Sequence, residues 1–307
     1  MNTMSTKIRK YELKARAESQ RETRDRIARV TSELHEEKGV AQTTVAEIAR
    51  RAGVTRLTVY NHFADLSELL PACAAHYERL RTGIVAAWQR AYLGDDAYIE
   101  GDTQTVYLLA LHMDLLPEPL RARAAERLVE NIERHDFHLT TGFVGVGLLC
   151  PVLSEAGYSD VAHRLLLNES FPSWGYSIRH GATTIWERWD GWTEDAGFQT
   201  PMMNSFNHYS LGSVGQWLYE YVAGIRAGAP GYAHVVIAPE PGGLEWARAV
   251  YRSVRGPISS AWRRDGDTLE LEVEIPANVT ATVIVPGGEP VEVGAGLHRF
   301  SGALAPV

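Results

Sequence analysis

The spacing of apolar residues changes character twice along this chain, and no single layered architecture satisfies all three patterns. In residues 21–63 the apolar side chains recur at three and four, the repeat of short packed helices. Beyond about Trp88, helical segments run into a stretch dense in tryptophan. From Gly231, short alternating runs punctuated by Pro, Gly, Asn and Asp take over, as in antiparallel strands. A length of 307 residues leaves room for two or three separately cored domains. The expected fold is therefore multidomain, α then β, with a helix-turn-helix three-helix head and a C-terminal antiparallel β-sandwich.

Charge follows the same division. The net charge of -8 combines 16 Lys and Arg against 11 Asp and Glu in residues 1–92 with 14 against 27 in the remainder. A basic head suits a polyanion such as double-stranded DNA, and an acidic body does not. The opening MNTMSTKIRKYELKARAESQ lacks the apolar core of a signal peptide, and no run approaches the roughly 18 apolar residues of a membrane span. The expectation is a soluble, cytoplasmic protein with no membrane partner. Cys73 and Cys150 are far apart among apolar neighbours, which suits reduced, partly buried thiols. HExxH, CxxC and glycine-rich phosphate loops are absent, so neither metal nor cofactor is expected.

In the head, Ile27, Val30, Thr31 and Leu34 fall at helical spacing before Gly39. Thr43 or Thr44 can cap a second helix with Val45, Ile48 and Ala49 inward, and Gly53 supplies the positive φ of a tight turn. A third helix, Thr55 to Phe63, turns Val59 and Phe63 inward and leaves Arg56, Thr58, Tyr60, Asn61 and His62 outward. Two short helices about a glycine turn form the motif whose second helix enters the major groove. Arg56 suits guanine or phosphate and Asn61 adenine, while Thr58, Tyr60 and His62 suit phosphates; Thr44 joins them as a candidate DNA contact. The stretch TTVAEIARRAGVTRLTVYNHFADLSELL resembles the N-terminal domain of TetR/AcrR-type transcriptional regulators over about residues 21–77. Leu66 stands where many such proteins place a phosphate-contacting lysine. The resemblance implies a domain over 21–80; such regulators bind paired half-sites as dimers, but the helices that make that dimer are missing here, and a homo-oligomer is one possible form. Lys7, Arg9, Lys10, Lys14 and Arg16 can be a minor-groove arm or a flexible basic tail, and a tail over 1–20 is expected.

In the body, helices are expected over 103–115, 119–134 and 159–167. FPSWGYSIRHGATTIWERWDGW then gathers Trp174, Tyr176, Trp186, Trp189 and Trp192 around Glu187, Arg188 and Asp190. Aromatic faces with carboxylates suit a pyranose site, and the same cluster also suits a plain core. Together with HLTTGFVGVGLLCPVLSEAGYSDVAHRLLL and MNSFNHYSLGSVGQWLYEYVAGI, this stretch resembles the later part of the helical barrel of family 78 glycoside hydrolases, the α-L-rhamnosidases. The resemblance runs from about residue 87 to the C-terminus. It implies a partial (α/α)6 barrel over 87–228, a β-sandwich over 231–307, and rhamnose or a rhamnoside as partner. It further implies Glu187 as general base, His208 as a sugar-binding residue, and Trp186, Trp189 and Asn207 as pocket lining.

Inverting glycosidases place a general acid about 6.5–9.5 Å from the base. In the family that acid comes from an earlier strip, in place of which this chain carries the head. Asp95, Asp96, Glu100 and Asp102 lack the accompanying pattern. Loss of general acid catalysis costs about 10²–10⁴ in rate, so little or no rhamnosidase activity is expected. The two resemblances meet between His76 and Ala91, the mark of two joined genes. The reading is a chimera with a DNA-binding, transcription-regulator head and an incomplete carbohydrate-binding body; the alternative is a truncated inverting α-L-rhamnosidase.

Overall fold

The computed structural model describes residues 3–304, and within them the side chains of residues 14–304 other than Leu66. The chain divides into two compact units, one ending at Ala91 and the other beginning at Tyr92. Among the described residues no helix is long and apolar enough to cross a membrane.

The first unit is helical: α1 (Thr3–Lys38), α2 (Val45–Ala52), α3 (Arg56–His62) and α4 (Leu66–Tyr92). The helix α1 corrects one expectation, because the segment read as a flexible tail is helical from Thr3. Its residues account for this. No Gly or Pro interrupts positions 1–38, Ala, Lys, Arg and Glu are strong helix formers, and Lys14 faces Glu18 one turn on at 3.9 Å. Lys7, Arg9 and Lys10 lie outside the described side chains.

Local chemistry sets the ends of α2 and α3. The Thr44 hydroxyl accepts from the Glu47 N–H at 3.4 Å and donates to Glu47 Oε2 at 2.9 Å, a reciprocal cap. Thr43 is buried instead, its hydroxyl donating to the Gly39 carbonyl. Gly53 stops α2 with φ 65° and ψ 36°, where any side chain would be strained. Thr55 opens α3 by accepting from the Thr58 N–H at 3.1 Å. One core then unites all four helices, built from Ile27, Val30 and Leu34, Ile48, Ala49 and Ala52, Val59 and Phe63, and Leu69 and Cys73.

The second unit begins with α5 (Gln104–His112), α6 (Glu118–Arg134), α7 (Val146–Glu155), α8 (Ser159–Leu167) and α9 (Trp174–Arg179). A long excursion over 180–208 contains only the paired two-residue strands β1 (Trp192–Thr193) and β2 (Gly197–Phe198). The short helices α10 (Tyr209–Gly212) and α11 (Val214–Trp217) and a π-helical turn at Leu218–Val222 follow. Buried Gln104 donates to the His138 carbonyl at 3.0 Å and accepts from the Thr140 N–H at 2.9 Å, which fixes the approach to the 141–145 loop. Cys73 and Cys150 are free and buried, and burial pushes the Cys150 thiol up to about 12.

Eight strands complete this unit: β3 (Ile225–Ala227), β4 (His234–Ile237), β5 (Trp246–Ser253), β6 (Gly256–Asp265), β7 (Thr268–Ile275), β8 (Thr280–Val283), β9 (Val291–Val293) and β10 (Gly296–Ala303). They form two four-stranded sheets, ordered β10-β7-β6-β5 and β3-β4-β8-β9. The first is antiparallel throughout, but β4 and β8 pair in parallel, correcting the expectation of wholly antiparallel sheets. After β7 the chain leaves the first sheet and returns beside β4, and this detour supplies the crossover a parallel pair requires. The first sheet is also hydrogen-bonded to the helices, through Trp262 Nε1 to the Val222 carbonyl and the Ser260 hydroxyl to the Ala223 carbonyl, each at 2.7 Å.

Two neighbouring aromatics of the first unit should respond oppositely to truncation. Phe63 is 1% exposed, so Phe63→Ala should destabilise the unit by about 3–5 kcal/mol. Tyr60 is 53% exposed, and Tyr60→Ala should change stability by no more than about 0.5 kcal/mol. Denaturant unfolding followed by helical circular dichroism checks both.

Candidate functional site

Within the first unit, α3 stands on its core by Val59 and Phe63 and presents Arg56, Leu57, Tyr60 and Asn61 to solvent. Thr58 and His62 are half-buried. The Thr58 hydroxyl lies 2.8 Å from that of Thr55, while Arg24 donates to the His62 carbonyl and stacks over the Phe63 ring at 4.0 Å. Thr44 is exposed, with its hydroxyl engaged as the cap of α2. The cations divide into two groups. Arg51 is bound to Glu37 at 2.6 Å and Lys38 to Glu47, whereas Arg50 and Arg56 have no ion-pair partner among the described residues. The Glu37 hydrogen bond holds the Arg51 guanidinium above its ordinary value. Arg50 and Leu57 were missed by the sequence reading. Arg50 follows the inward pair Ile48–Ala49, which was the available signal.

In the second unit, Glu187 is 7% exposed and held twice by one residue. Its N–H donates to the Ser205 carbonyl at 2.8 Å, and its Oε2 accepts from the Ser205 N–H at 2.6 Å. Its Oε1 has no hydrogen-bond partner among the described residues. A pocket of about 360 Å³ opens on this carboxylate, lined also by Phe143, Phe171, Trp189, Arg188 and Asp190. Trp189 is fixed by Nε1 donating to the Thr141 carbonyl at 2.9 Å and by edge contact with Trp174, ring centroids 5.4 Å apart. Arg188 grips Asp190 with two bonds, Nε to Oδ1 at 2.9 Å and Nη2 to Oδ2 at 2.7 Å, and this pairing holds the Asp190 carboxyl below its ordinary value.

The structure thus brings Glu187 and Trp189 together. Trp186 is buried against Phe206 and is not among the residues lining this pocket. Asn207 is exposed outside it. His208 caps α10, Nδ1 accepting from the Ser210 N–H at 3.2 Å, and stacks on the pocket residue Phe143 at 5.0 Å. Phe143, Phe171 and Asp190 also line it without having been named as site residues. Phe171 opens the tryptophan-rich stretch and Phe143 lies in the loop before α7, but nothing in either segment singles that residue out. Gly191 is required by close approach: a Cβ there would lie 2.7 Å from Asn204 Oδ1, whose amide nitrogen donates to the Gly191 carbonyl at 3.0 Å. Among the described residues no group of three or more His, Cys, Asp or Glu could hold a metal ion. Chemically, the pocket offers a fixed carboxylate able to accept a proton, a flat indole and two further aromatic faces.

The body thus joins helices carrying an aromatic, carboxylate-bearing pocket to a β-sheet unit. The chain belongs to the bacterial α-L-rhamnosidases: residues 12–222 match the bacterial alpha-L-rhamnosidase 6 hairpin glycosidase domain and residues 224–298 the bacterial alpha-L-rhamnosidase C-terminal domain. An α-L-rhamnosidase of Streptomyces avermitilis is 46% identical over 266 residues, which is 79% of this chain and 26% of that protein. The crystal structure of Streptomyces avermitilis α-L-rhamnosidase complexed with L-rhamnose superposes with a TM-score of 0.70 at 42% identity, over 83% of this chain and 25% of that one. The chain therefore spans about a quarter of the length of these relatives. The HTH-type transcriptional regulator AcrR of Shigella flexneri is 46% identical over 56 residues, 18% of this chain and 26% of that protein. A rhamnosidase-family body is thus joined to a head homologous to TetR-type regulators, as the motifs implied.

The lowered Asp190 carboxyl sets a pH dependence. Its pairing stabilises the fold above the ordinary carboxylate range, near 3.9, and is lost as pH falls through the depressed value. Its side chain is 44% exposed, so screening keeps the contribution small. The stability difference between the parent and Asp190→Asn should be below about 1 kcal/mol at pH 7 and should shrink as pH falls below the ordinary carboxylate range through the depressed value. Thermal unfolding across that range checks it.

Proposed function

We propose that this chain is a DNA-binding protein whose head reads double-stranded DNA through α3 and whose body is a rhamnoside-binding module. The observation that carries the first part is the outward face of α3: Arg56, Tyr60 and Asn61 are exposed on a helix whose opposite side is sealed into the core, and Arg56 and Arg50 have no acidic partner among the described residues. Arg56 and Asn61 have base-reading chemistry, while Arg50, Tyr60, Thr58, His62 and Thr44 supply positioning contacts to the backbone. Homology of the head to TetR-type regulators supports this reading; a homo-oligomeric form would let two heads address paired half-sites.

In the body, Glu187 is the proton acceptor and Trp189 the sugar platform, with His208 stacked on the lining residue Phe143 and Trp186 and Asn207 outside the pocket. We take residues 21–80 as the DNA-reading domain, 87–228 as part of an (α/α)6 barrel and 231–307 as a β-sandwich. The compartment is cytoplasmic, where DNA is accessible. No cofactor enters the reading.

The second reading, a truncated inverting α-L-rhamnosidase, is favoured by one observation, the fixed carboxylate of Glu187 at the pocket. As general base Glu187 would draw a proton from water attacking the anomeric carbon, and a second carboxyl would have to protonate the leaving oxygen. The chemistry of leaving groups separates the readings, since an alkoxide needs that proton.

The test of the DNA reading is fluorescence anisotropy with a labelled 30-base-pair mixed-sequence duplex. Binding in the range of about 10⁻⁶–10⁻⁴ M at physiological salt is expected, falling linearly in log K with log salt. Arg56→Ala should weaken it and reduce the salt slope by about one. Absence of binding at low salt, or an Arg56→Ala slope equal to the parent's, contradicts the proposal. Turnover of an alkyl rhamnoside that disappears in Glu187→Gln would instead select the enzymatic reading.

A further inference from the structure

A cavity of about 660 Å³ lies away from Glu187, on the outward face of the sheet β10-β7-β6-β5. The strand register lays out that face as a grid, because residues directly paired across antiparallel strands share a face, as do residues two apart on one strand. One row runs Trp246, Arg263, Glu270 and Ser301, and the next runs Arg248, Ala261, Glu272 and Arg299. The rows lie about 7 Å apart and neighbouring strands about 4.8 Å apart. The opposite face carries Trp262 and Leu271, both buried.

A single exposed aromatic requires no explanation. Trp246 is 67% exposed, and its position makes it informative: it stands at one corner of the cavity, beside the small Ala261 that forms the floor. Opposite it, two forks of charge are already formed, Arg263 with Glu270 and Arg299 with Glu272, each at 2.7 Å. Both pairs are solvent-exposed, with side chains 46–74% accessible, and pairs of this kind cost little to open. Their N–H groups and oxygens are free to re-partner with ligand hydroxyls. Arg248 differs, because it has no ion-pair partner among the described residues. The face therefore offers an indole plane, a donor–acceptor grid and one uncompensated guanidinium.

These features select a ligand class. A pyranose has an apolar C–H face that stacks on indole and a rim of hydroxyls that needs both donors and acceptors. A carboxylate on that ligand answers the unpaired Arg248, whose planar fork matches it with two parallel bonds. We propose that this face is a binding site for an acidic oligosaccharide, with Trp246 as the stacking platform and Arg248 as the carboxylate clamp. The site is separate from the Glu187 pocket, with which it shares no lining residue.

Isothermal titration of the full chain with tri-galacturonic acid, and with maltotriose as the neutral comparison, tests this. The acidic trisaccharide should bind in the millimolar range or tighter, near -4 kcal/mol, and the neutral one at least fivefold more weakly. Trp246→Leu, which keeps bulk but removes the ring, should weaken both at least tenfold. Arg248→Gln should reduce the acidic ligand to the level of the neutral one. Trp246→Phe should retain part of the binding, which separates loss of the platform from loss of the fold. The proposal is overturned if neither sugar binds at about 10 mM, if Trp246→Leu binds as the parent does, or if Arg248→Gln leaves the acidic preference intact.

Discussion

The carboxylate of Glu187 and the backbone of Ser205 hold each other in place, and the pocket side of the body depends on that double contact. The 180–208 excursion has almost no regular secondary structure of its own, only one pair of two-residue strands. Its backbone groups are satisfied across the loop instead: Glu187 with Ser205 in both directions, His208 N–H to the Ile185 carbonyl at 2.9 Å, Gln199 N–H to the Gly191 carbonyl at 3.1 Å, and the Asn204 amide to Gly191. A carboxylate removed from water needs compensating donors, and the Ser205 amide supplies one to Oε2 while Oε1 has no hydrogen-bond partner among the described residues. The same group therefore orders the loop and sets a carboxylate at the pocket. Glutamine at this position keeps the size of the side chain but gives up the charge that the Ser205 N–H addresses.

The head follows a different logic. Its helices are short, so propensity alone cannot sustain them; reciprocal capping at Thr44 and Glu47, a cap at Thr55 and the left-handed Gly53 set their ends, and a ten-residue core sets their packing. With Val59 and Phe63 consumed by the core, the remaining side chains of α3 are left to solvent. The ion pairs of Arg51 with Glu37 and of Lys38 with Glu47 both link α2 to α1, and Arg50 and Arg56 have no ion-pair partner among the described residues. The outward face of α3 is thus what folding does not use.

How far each part was legible in the sequence follows from how local its causes are. The ends of α2 and α3 are written in contiguous residues, Thr44 to Glu47 and Gly53 to Thr55, and the inward assignment of Ile48, Ala49, Val59 and Phe63 matches the core. Glu187 was identifiable through its motif, but Ser205, eighteen residues on, was not, because a backbone amide leaves no compositional trace. The tryptophans illustrate the same limit. Trp186 and Trp189 are three residues apart, yet one is buried against Phe206 and the other lines the pocket, and an irregular loop has no period from which to tell them apart. The parallel β4–β8 pair and the short β3 escaped because register between distant strands is set by packing, while the helical start of α1 escaped because its polar composition suited a tail as well as a helix.

The most direct test of the account is hydrogen–deuterium exchange on the full chain with and without duplex DNA. The account predicts slowed exchange at the N–H groups of α2, the Gly53 turn and α3, residues 44–63, with residues 92–304 unchanged. Protection confined to the body, or no change in 44–63 at a DNA concentration that saturates binding, would contradict it.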